Sequence, residues 1–114
     1  MKLPENGKLL RIFIGESDRY EDKALYEAII LKARELGLAG ATAVRGIMGF
    51  GADSRMHTAK LLELSEDLPV IIELVDTGEN INKLMPFLDG NVDEGLITLE
   101  DVKVVKYRHS SGKK

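Results

Sequence analysis

The sequence predicts an α+β fold: a four-stranded antiparallel sheet with two helices on one face. The first observation is the length of 114 residues, 44% of them hydrophobic and 31% charged, which is typical of one globular domain. The second is the element order, in which strand-like and helix-like apolar patterns follow one another as strand, helix, strand, strand, helix, strand. This order is typical of the ferredoxin-like βαββαβ sandwich.

The first strand and the first helix have the clearest patterns. Over residues 8–15, apolar side chains alternate between two sides, which predicts a strand buried on one face and largely covered on the other. Apolar residues then recur at three- and four-residue steps, which predicts a helix over 21–36. Glu21 and Asp22 suit its positive end, and Gly37 suits the left-handed position after its last turn.

The middle of the chain predicts the two inner strands of this order, with a loop and one further short strand between them. Residues 41–47 are rich in β-branched types and predict a strand, which an irregular loop over 46–58 follows. A short strand is predicted over 58–64. Residues 70–75 are nearly all apolar, which is typical of a central strand.

A second helix and a last strand complete the order. Capping residues at 76–79 precede apolar residues at helical steps, so we expect one helix, kinked at Pro86, that ends near Glu94, and not two separate pieces. Residues 102–107 predict the last strand. We expect a single domain over 1–114 with its core at 8–108, and loose ends at 1–7 and 110–114. The sheet face away from the helices should need a covering partner, because it carries Phe13, Ile71, Val75 and Val105.

Composition excludes several classes of protein. The chain has no cysteine, so disulfides, thiolate nucleophiles, zinc fingers and iron–sulfur clusters are excluded. It has no apolar run of about 18 residues and no apolar signal-peptide core, so we expect a cytoplasmic protein without membrane insertion.

The net charge of −3 conceals a pattern along the chain. Residues 61–101 are strongly acidic, whereas 45–60 and 102–114 are basic. If the fold brings the two basic segments together, they form a local anion site; scattered solvated charges are the alternative. A broad nucleic-acid surface is not expected.

Three glycines in the six residues 46–51 mark the loop that leaves the second strand. Glycine frees the backbone for positive φ and lets amide groups approach an anion, although the spacing matches neither a P-loop nor a Rossmann motif. A tight strand exit without a ligand is the alternative. The basic side chains of Arg45, Arg55, His57 and Lys60 surround this loop, as phosphate contacts or as solvated surface groups.

Catalytic and metal-binding patterns are weak. Residues 89–100 resemble a calcium loop, but Glu94 occupies the position that requires glycine, so we expect a helix end and a turn. His57 and His109 are far apart in sequence, and no serine has a nucleophile-elbow pattern. We therefore expect no enzyme.

Three strings carry a resemblance to a known family. GESDRYE at 15–21, GLAGATAVRGIMGFG at 37–51 and LSEDLPV at 64–70 resemble a short, largely uncharacterised branch of the PII-like signalling proteins. The resemblance covers about residues 8–108. Similarity to true PII proteins is weaker and rests on Gly40, Thr42, Gly49-Phe50-Gly51, Leu68-Pro69 and the strand at 70–75.

The resemblance implies a homotrimer closed by sheet faces, with an adenine nucleotide (ADP, AMP or ATP) in clefts between subunits and no obligatory cofactor. It also implies that the 46–58 loop docks on a protein target such as a transporter or an enzyme. By position, Gly49 and Gly51 match the loop base, and Lys106 and Arg108 match basic residues on the last strand that contact phosphates across the subunit boundary. The candidate nucleotide-binding residues are Arg45, Gly46, Gly49, Phe50, Gly51, Arg55, His57, Lys106 and Arg108.

Two departures from the PII pattern narrow the expectation. Leu96 follows Gly95 where PII proteins have a phosphate-binding lysine, which favours a diphosphate or a monophosphate. The 46–60 loop has no tyrosine, so it offers no acceptor for nucleotidylation. The leading hypothesis is a non-enzymatic, nucleotide-responsive regulator; the alternatives are a ligand-free oligomeric interaction module and a small nucleotide hydrolase.

Overall fold

The computed structural model describes residues 6–50 and 67–108, and within these ranges the chain has the predicted ferredoxin-like α+β fold. Four antiparallel strands form the main sheet in the order β4-β5-β1-β6, and β2 pairs with β3 in a separate hairpin. The predicted strand at 58–64 lies outside the described residues. The elements are β1 (Asn6–Gly15), β2 (Arg19–Tyr20), β3 (Lys23–Ala24), α1 (Leu25–Glu35), β4 (Thr42–Arg45), β5 (Pro69–Asp76), α2 (Gly78–Asn91) and β6 (Leu96–Lys103).

The core lies between the main sheet and the two helices. Because β1 pairs with β5 in antiparallel register, alternate residues of both strands share the helix side of the sheet. The predicted alternation of the first strand and the predicted apolar faces of both helices are confirmed. The central core residues, each at most 5% exposed, are Leu10, Ile12, Ile14, Val70, Ile72, Leu74, Leu25, Ile29, Ile81, Leu84 and Leu88.

The first helix begins later than predicted. Glu21 and Asp22 do not open the helix but form the two-residue turn of the β2–β3 hairpin, in which Glu21 has a φ of 54°. Two-residue hairpin turns of the favoured types need positive φ at this position. Leu25 then starts α1, and its amide is capped by the carbonyl oxygen of Asp18 at 2.8 Å. The predicted left-handed Gly37 is confirmed by its φ of 84°.

The second helix has the predicted capping cluster and passes through Pro86 as one helix. The Thr77 hydroxyl accepts a hydrogen bond from the Asn80 amide at 3.1 Å, which satisfies a backbone donor of the first turn. The helix ends at Asn91, three residues before the predicted end at Glu94.

The last strand lies earlier in the chain than the sequence predicts. The prediction of a strand over 102–107 is wrong, because β6 spans Leu96–Lys103, so Lys106 and Arg108 follow the strand. Its register places Ile97 beside Ile12 and Leu99 beside Leu10, on the helix side of the sheet. The helix end and turn predicted over 89–100 are confirmed only as far as Gly95, because β6 begins at Leu96. Gly95 ends this turn where a Cβ atom would lie 2.6 Å from the carbonyl oxygen of Phe13.

Candidate functional site

The side of the main sheet away from the helices is called the outer face. Phe13, Ile71 and Val75 lie on it, as predicted, because they alternate along β1 and β5 with the core residues, which face the helices. Val105 does not, since it follows β6, and it is 93% exposed. Most of the outer face is only half buried, and its other residues include Leu9, Arg11, Thr42, Val44, Glu73 and Leu96.

A groove of about 590 Å³ lies at the end of the outer face where β1 begins. Its floor is formed by Leu9, Glu73 and Val75, and residues 39–42 form one wall. The segment 104–107, called the strap, follows β6, lines the groove and reaches the 39–42 wall, where the Tyr107 hydroxyl donates to the Ala39 carbonyl oxygen. The sequence predicts Lys106 as a site residue but predicts neither the groove floor nor the 39–42 wall. The string GLAGAT at 37–42, which is rich in small residues, is the signal that could have indicated this wall.

Ion pairs made by Arg11 hold Glu73, the polar side chain of the groove floor, in place. Arg11 donates from Nε to Glu73 at 2.8 Å and from Nη1 to Glu100 at 3.2 Å, across three strands. The hydrogen bond to Glu73, with the nearby charges of Glu73 and Glu100, raises the pKa of Arg11 above its ordinary value. Arg11 therefore places a permanent cation beside Glu73 in the groove floor. Lys106, which carries an amine, lines the groove from the strap.

The glycines at the base of the 46–58 loop serve close packing. The Gly46 amide donates to the Pro69 carbonyl oxygen at 2.7 Å, and a Cβ atom on Gly46 would lie 2.8 Å from Pro69 Cγ. At Gly49 the corresponding distance is 3.1 Å. Neither residue is among the glycines with positive φ, so the positive φ that glycine allows is not used at these two positions. What requires glycine here is the proline ring beneath them.

Arg45 lies on the helix side of the sheet. It ends β4 opposite Val70, a core residue of β5, and its Nη1 is 3.1 Å from Oε2 of Glu16. Phe50, in contrast, is 68% exposed, and its neighbours Ile47 and Met48 are more exposed still. The loop base therefore presents apolar side chains, while its arginine is paired with a carboxylate.

Within one protomer the candidate residues fall into two groups. Lys106 lines the groove beside Leu9, whereas Gly46 and Gly49 contact Pro69, which pairs with Gly15. Gly15 lies six residue steps along β1 from Leu9, which corresponds to about 20 Å along the strand. Arg108 follows the strap and is exposed. The candidates Gly51, Arg55 and His57 lie outside the described residues, as do Lys60 and His109.

A buried carboxylate supports the groove wall from behind. Asp76 is 0% exposed; its Oδ2 accepts from the Ala39 amide at 2.7 Å, and its Oδ1 accepts from the Thr77 amide and from Asn80 Nδ2. These bonds join the 39–42 wall to the start of α2. Within residues 6–50 and 67–108, no group of three or more histidine, cysteine, aspartate or glutamate side chains is placed to hold a metal ion. In the same ranges no helix is both long and apolar enough to span a bilayer.

Sequence comparison assigns the chain to a family. Residues 7–104 match the model of the DUF190 family (uncharacterized ACR). A UPF0166 protein of Aquifex aeolicus is 42% identical over 98 residues, covering 86% of this chain and 92% of the relative. A UPF0166 protein of Methanocaldococcus jannaschii is 38% identical over 100 residues, covering 87% and 92%.

Solved structures share the fold at low identity. A PII-like signalling protein from Thermus thermophilus superposes with a TM-score of 0.61 at 16% identity, over 88% of this chain and 90% of that one. CPII, a nitrogen regulatory PII-like protein from Thiomonas intermedia whose structure holds ADP, AMP and bicarbonate, gives 0.61 at 20% identity, over 89% and 90%. The chain belongs to the DUF190 family, and its fold is that of the PII-like signalling proteins.

Proposed function

We propose that this protein is a non-enzymatic PII-like regulator that binds an adenine nucleotide between neighbouring protomers of a homotrimer. One observation carries the proposal: Lys106, which lines the groove, and the glycines of the loop base lie toward opposite ends of the main sheet of one protomer. A cleft that uses both groups combines the groove of one protomer with the loop base of its neighbour. The likeness to CPII, whose structure holds ADP and AMP, supports an adenine nucleotide as the ligand.

The groove has the chemistry for the nucleoside end of such a ligand. Its floor of Leu9 and Val75 suits a planar base, and Glu73 offers a carboxylate acceptor for hydroxyl or amino groups. Its volume of about 590 Å³ lies within the range of small-molecule sites, roughly 300–1,000 Å³. Lys106 in the strap and Arg108 directly after it then supply cations for phosphate groups.

The outer face supports the homotrimer. Phe13, Ile71 and Val75 are only half buried in one protomer, and Leu96 is 56% exposed beside them. Apolar surface of this kind is stabilised when a partner covers it. Because the groove and the loop base are different surfaces, their pairing is heterologous, and such contacts close into a ring when the rotation permits.

The 46–58 loop is the proposed contact with a protein target. Ile47, Met48 and Phe50 at its base are exposed apolar side chains, which is a composition typical of protein interfaces. The loop is proposed to have two states that differ in their affinity for the target. A ligand that binds beside the loop base shifts the balance between these states by an amount set by the ligand's own difference in affinity for the two.

Calorimetric titration of the purified oligomer with ADP, AMP and ATP tests the proposal, with the oligomer's mass measured by light scattering. We expect a trimer that binds at least one of these nucleotides. A trimer that gains neither heat nor thermal stability at millimolar nucleotide would instead support the ligand-free interaction module. Release of inorganic phosphate or AMP in the presence of magnesium would support the hydrolase.

A further inference from the structure

We propose that the strap, residues 104–107, is a gate over the groove and that the Tyr107 hydroxyl is its latch. The strap leaves the edge strand β6, crosses the end of the outer face and reaches the segment that leads into β4. It therefore spans the groove from one edge of the main sheet toward the other. The gating role rests on the proposed function, whereas the latch itself can be measured without any ligand.

The strap contacts the rest of the protomer near its two ends. At one end, Cγ2 of Val104 lies over Gly7, where a Cβ atom would be only 3.3 Å away. At the other end, the Tyr107 hydroxyl donates to the Ala39 carbonyl oxygen at 3.3 Å. Val105 and Lys106 lie between these points, and both are exposed. This arrangement gives the strap a hinge at Val104 and a polar closure at Tyr107.

The acceptor side of the latch is fixed in place. The Ala39 amide donates to the buried carboxylate of Asp76 at 2.7 Å, and Asp76 also accepts from Thr77 and Asn80 at the start of α2. A fully buried carboxylate whose two oxygens both accept hydrogen bonds holds residue 39 firmly. The element that moves when the latch opens is therefore the strap and not the 39–42 wall.

Opening the latch exposes the groove, and closing it places Lys106 over the groove. Because Lys106 directly precedes Tyr107, a phosphate group held by Lys106 favours the closed strap, and the closed strap slows the escape of a nucleoside in the groove. One neutral hydrogen bond of the usual net strength changes such an equilibrium about twofold to tenfold. The latch therefore affects how long a nucleoside stays in the groove more than which nucleoside binds there.

Tyr107→Phe tests the latch because it removes the hydroxyl and keeps the ring. The matched control is Tyr26→Phe on α1, on the opposite side of the main sheet from the strap. We expect Tyr107→Phe to speed amide hydrogen exchange at 104–108 about twofold to tenfold without ligand, and to speed ADP dissociation by a similar factor. Tyr26→Phe should change neither rate.

The outcomes separate the latch from the proposed function. Unchanged exchange at 104–108 in Tyr107→Phe overturns the latch, whatever the protein binds. Faster exchange with an unchanged ADP dissociation rate overturns the gating of the groove and leaves only a structural bond. If ADP, AMP and ATP fail to bind even the unmodified protein, the proposed function fails and the gating role fails with it, while the exchange measurement still decides the latch.

Discussion

The guanidinium of Arg45 binds the carboxylate of Glu16, with 3.1 Å between Nη1 and Oε2. This ion pair joins the end of β4 to the turn after β1, so the base of the 46–58 loop is tied to the turn that precedes the β2–β3 hairpin. Any phosphate that used Arg45 would have to displace Glu16. The pair therefore argues for Arg45 as a support of the loop base.

Arg45→Ala should leave the affinity for ADP within about twofold of the unmodified value, because its side chain is on the helix side of the sheet and already paired. The loss of stability should be at most about 1 kcal/mol, as is usual for an exposed ion pair. Titration calorimetry and urea unfolding measure the two effects. A loss of affinity beyond tenfold would show that the ligand displaces Glu16.

Arg108→Ala should weaken ADP binding by about 1–3 kcal/mol if the guanidinium contacts phosphate, since a charge-assisted hydrogen bond is lost. Lys83→Ala is the matched control: it also removes one exposed cation, but from α2, on the helix side of the sheet. Calorimetric titration of both variants compares them. Equal affinity in both variants would remove Arg108 from the site.

Gly46→Ala should destabilise the protomer by about 1–3 kcal/mol, because the new Cβ atom would lie 2.8 Å from Pro69 Cγ and the proline ring cannot move aside cheaply. The matched control is Gly40→Ala, where a Cβ atom would meet nothing within 4 Å. Removing a glycine there should leave stability unchanged or raise it by up to about 1 kcal/mol. Urea unfolding at equal protein concentration measures both. Equal stability in the two variants would contradict the packing role of Gly46.

The elements predicted correctly are those in which burial sets the pattern. Leu10, Ile12 and Ile14 alternate because one face of β1 must pack on the helices, and this requirement is visible in the sequence. The start of α1 was missed because Glu21 adopts positive φ, which is uncommon for a residue other than glycine. The start of β6 was missed because acidic residues on both sides conceal the alternation of Ile97 and Leu99.

The candidate site likewise includes some residues that the sequence predicts and others that it does not. Lys106 and Arg108 are predicted from their charge and from a family resemblance, which are properties of sequence alone; Lys106 lines the groove, and Arg108 follows the strap. The groove was not found, because its walls come from positions as distant as Leu9, Glu73 and Tyr107, and only the strand register brings them together. The small-residue segment 39–42 has no charge or periodicity that predicts a wall of a binding groove.

Phe13→Asp should break the proposed trimer and leave the protomer folded, whereas Ile12→Asp should unfold the protomer. The two residues are adjacent in β1 but face opposite sides: Ile12 is 0% exposed in the core, and Phe13 is half buried on the outer face. A carboxylate in the core has no partner and costs several kcal/mol, while one on the outer face is solvated in the protomer. Light scattering and circular dichroism measure the two effects. A Phe13→Asp variant that stays trimeric would place the assembly elsewhere than the outer face.

Leu96→Lys should raise the affinity for ATP relative to AMP by about tenfold, because it places an ammonium group where the resemblance to PII proteins implies a phosphate-binding lysine. Leu96 pairs with Phe13 on the outer face, while Leu99 pairs with Leu10 on the helix side. Both side chains are about half exposed, so Leu99→Lys adds the same charge to the same strand at the same level of solvation but on the opposite face. The ratio of the two dissociation constants cancels any general effect of the added charge on affinity. A selective gain in ATP affinity from Leu96→Lys alone would place the terminal phosphates beside Gly95, whereas an equal gain from both variants would reflect the net charge of the protein.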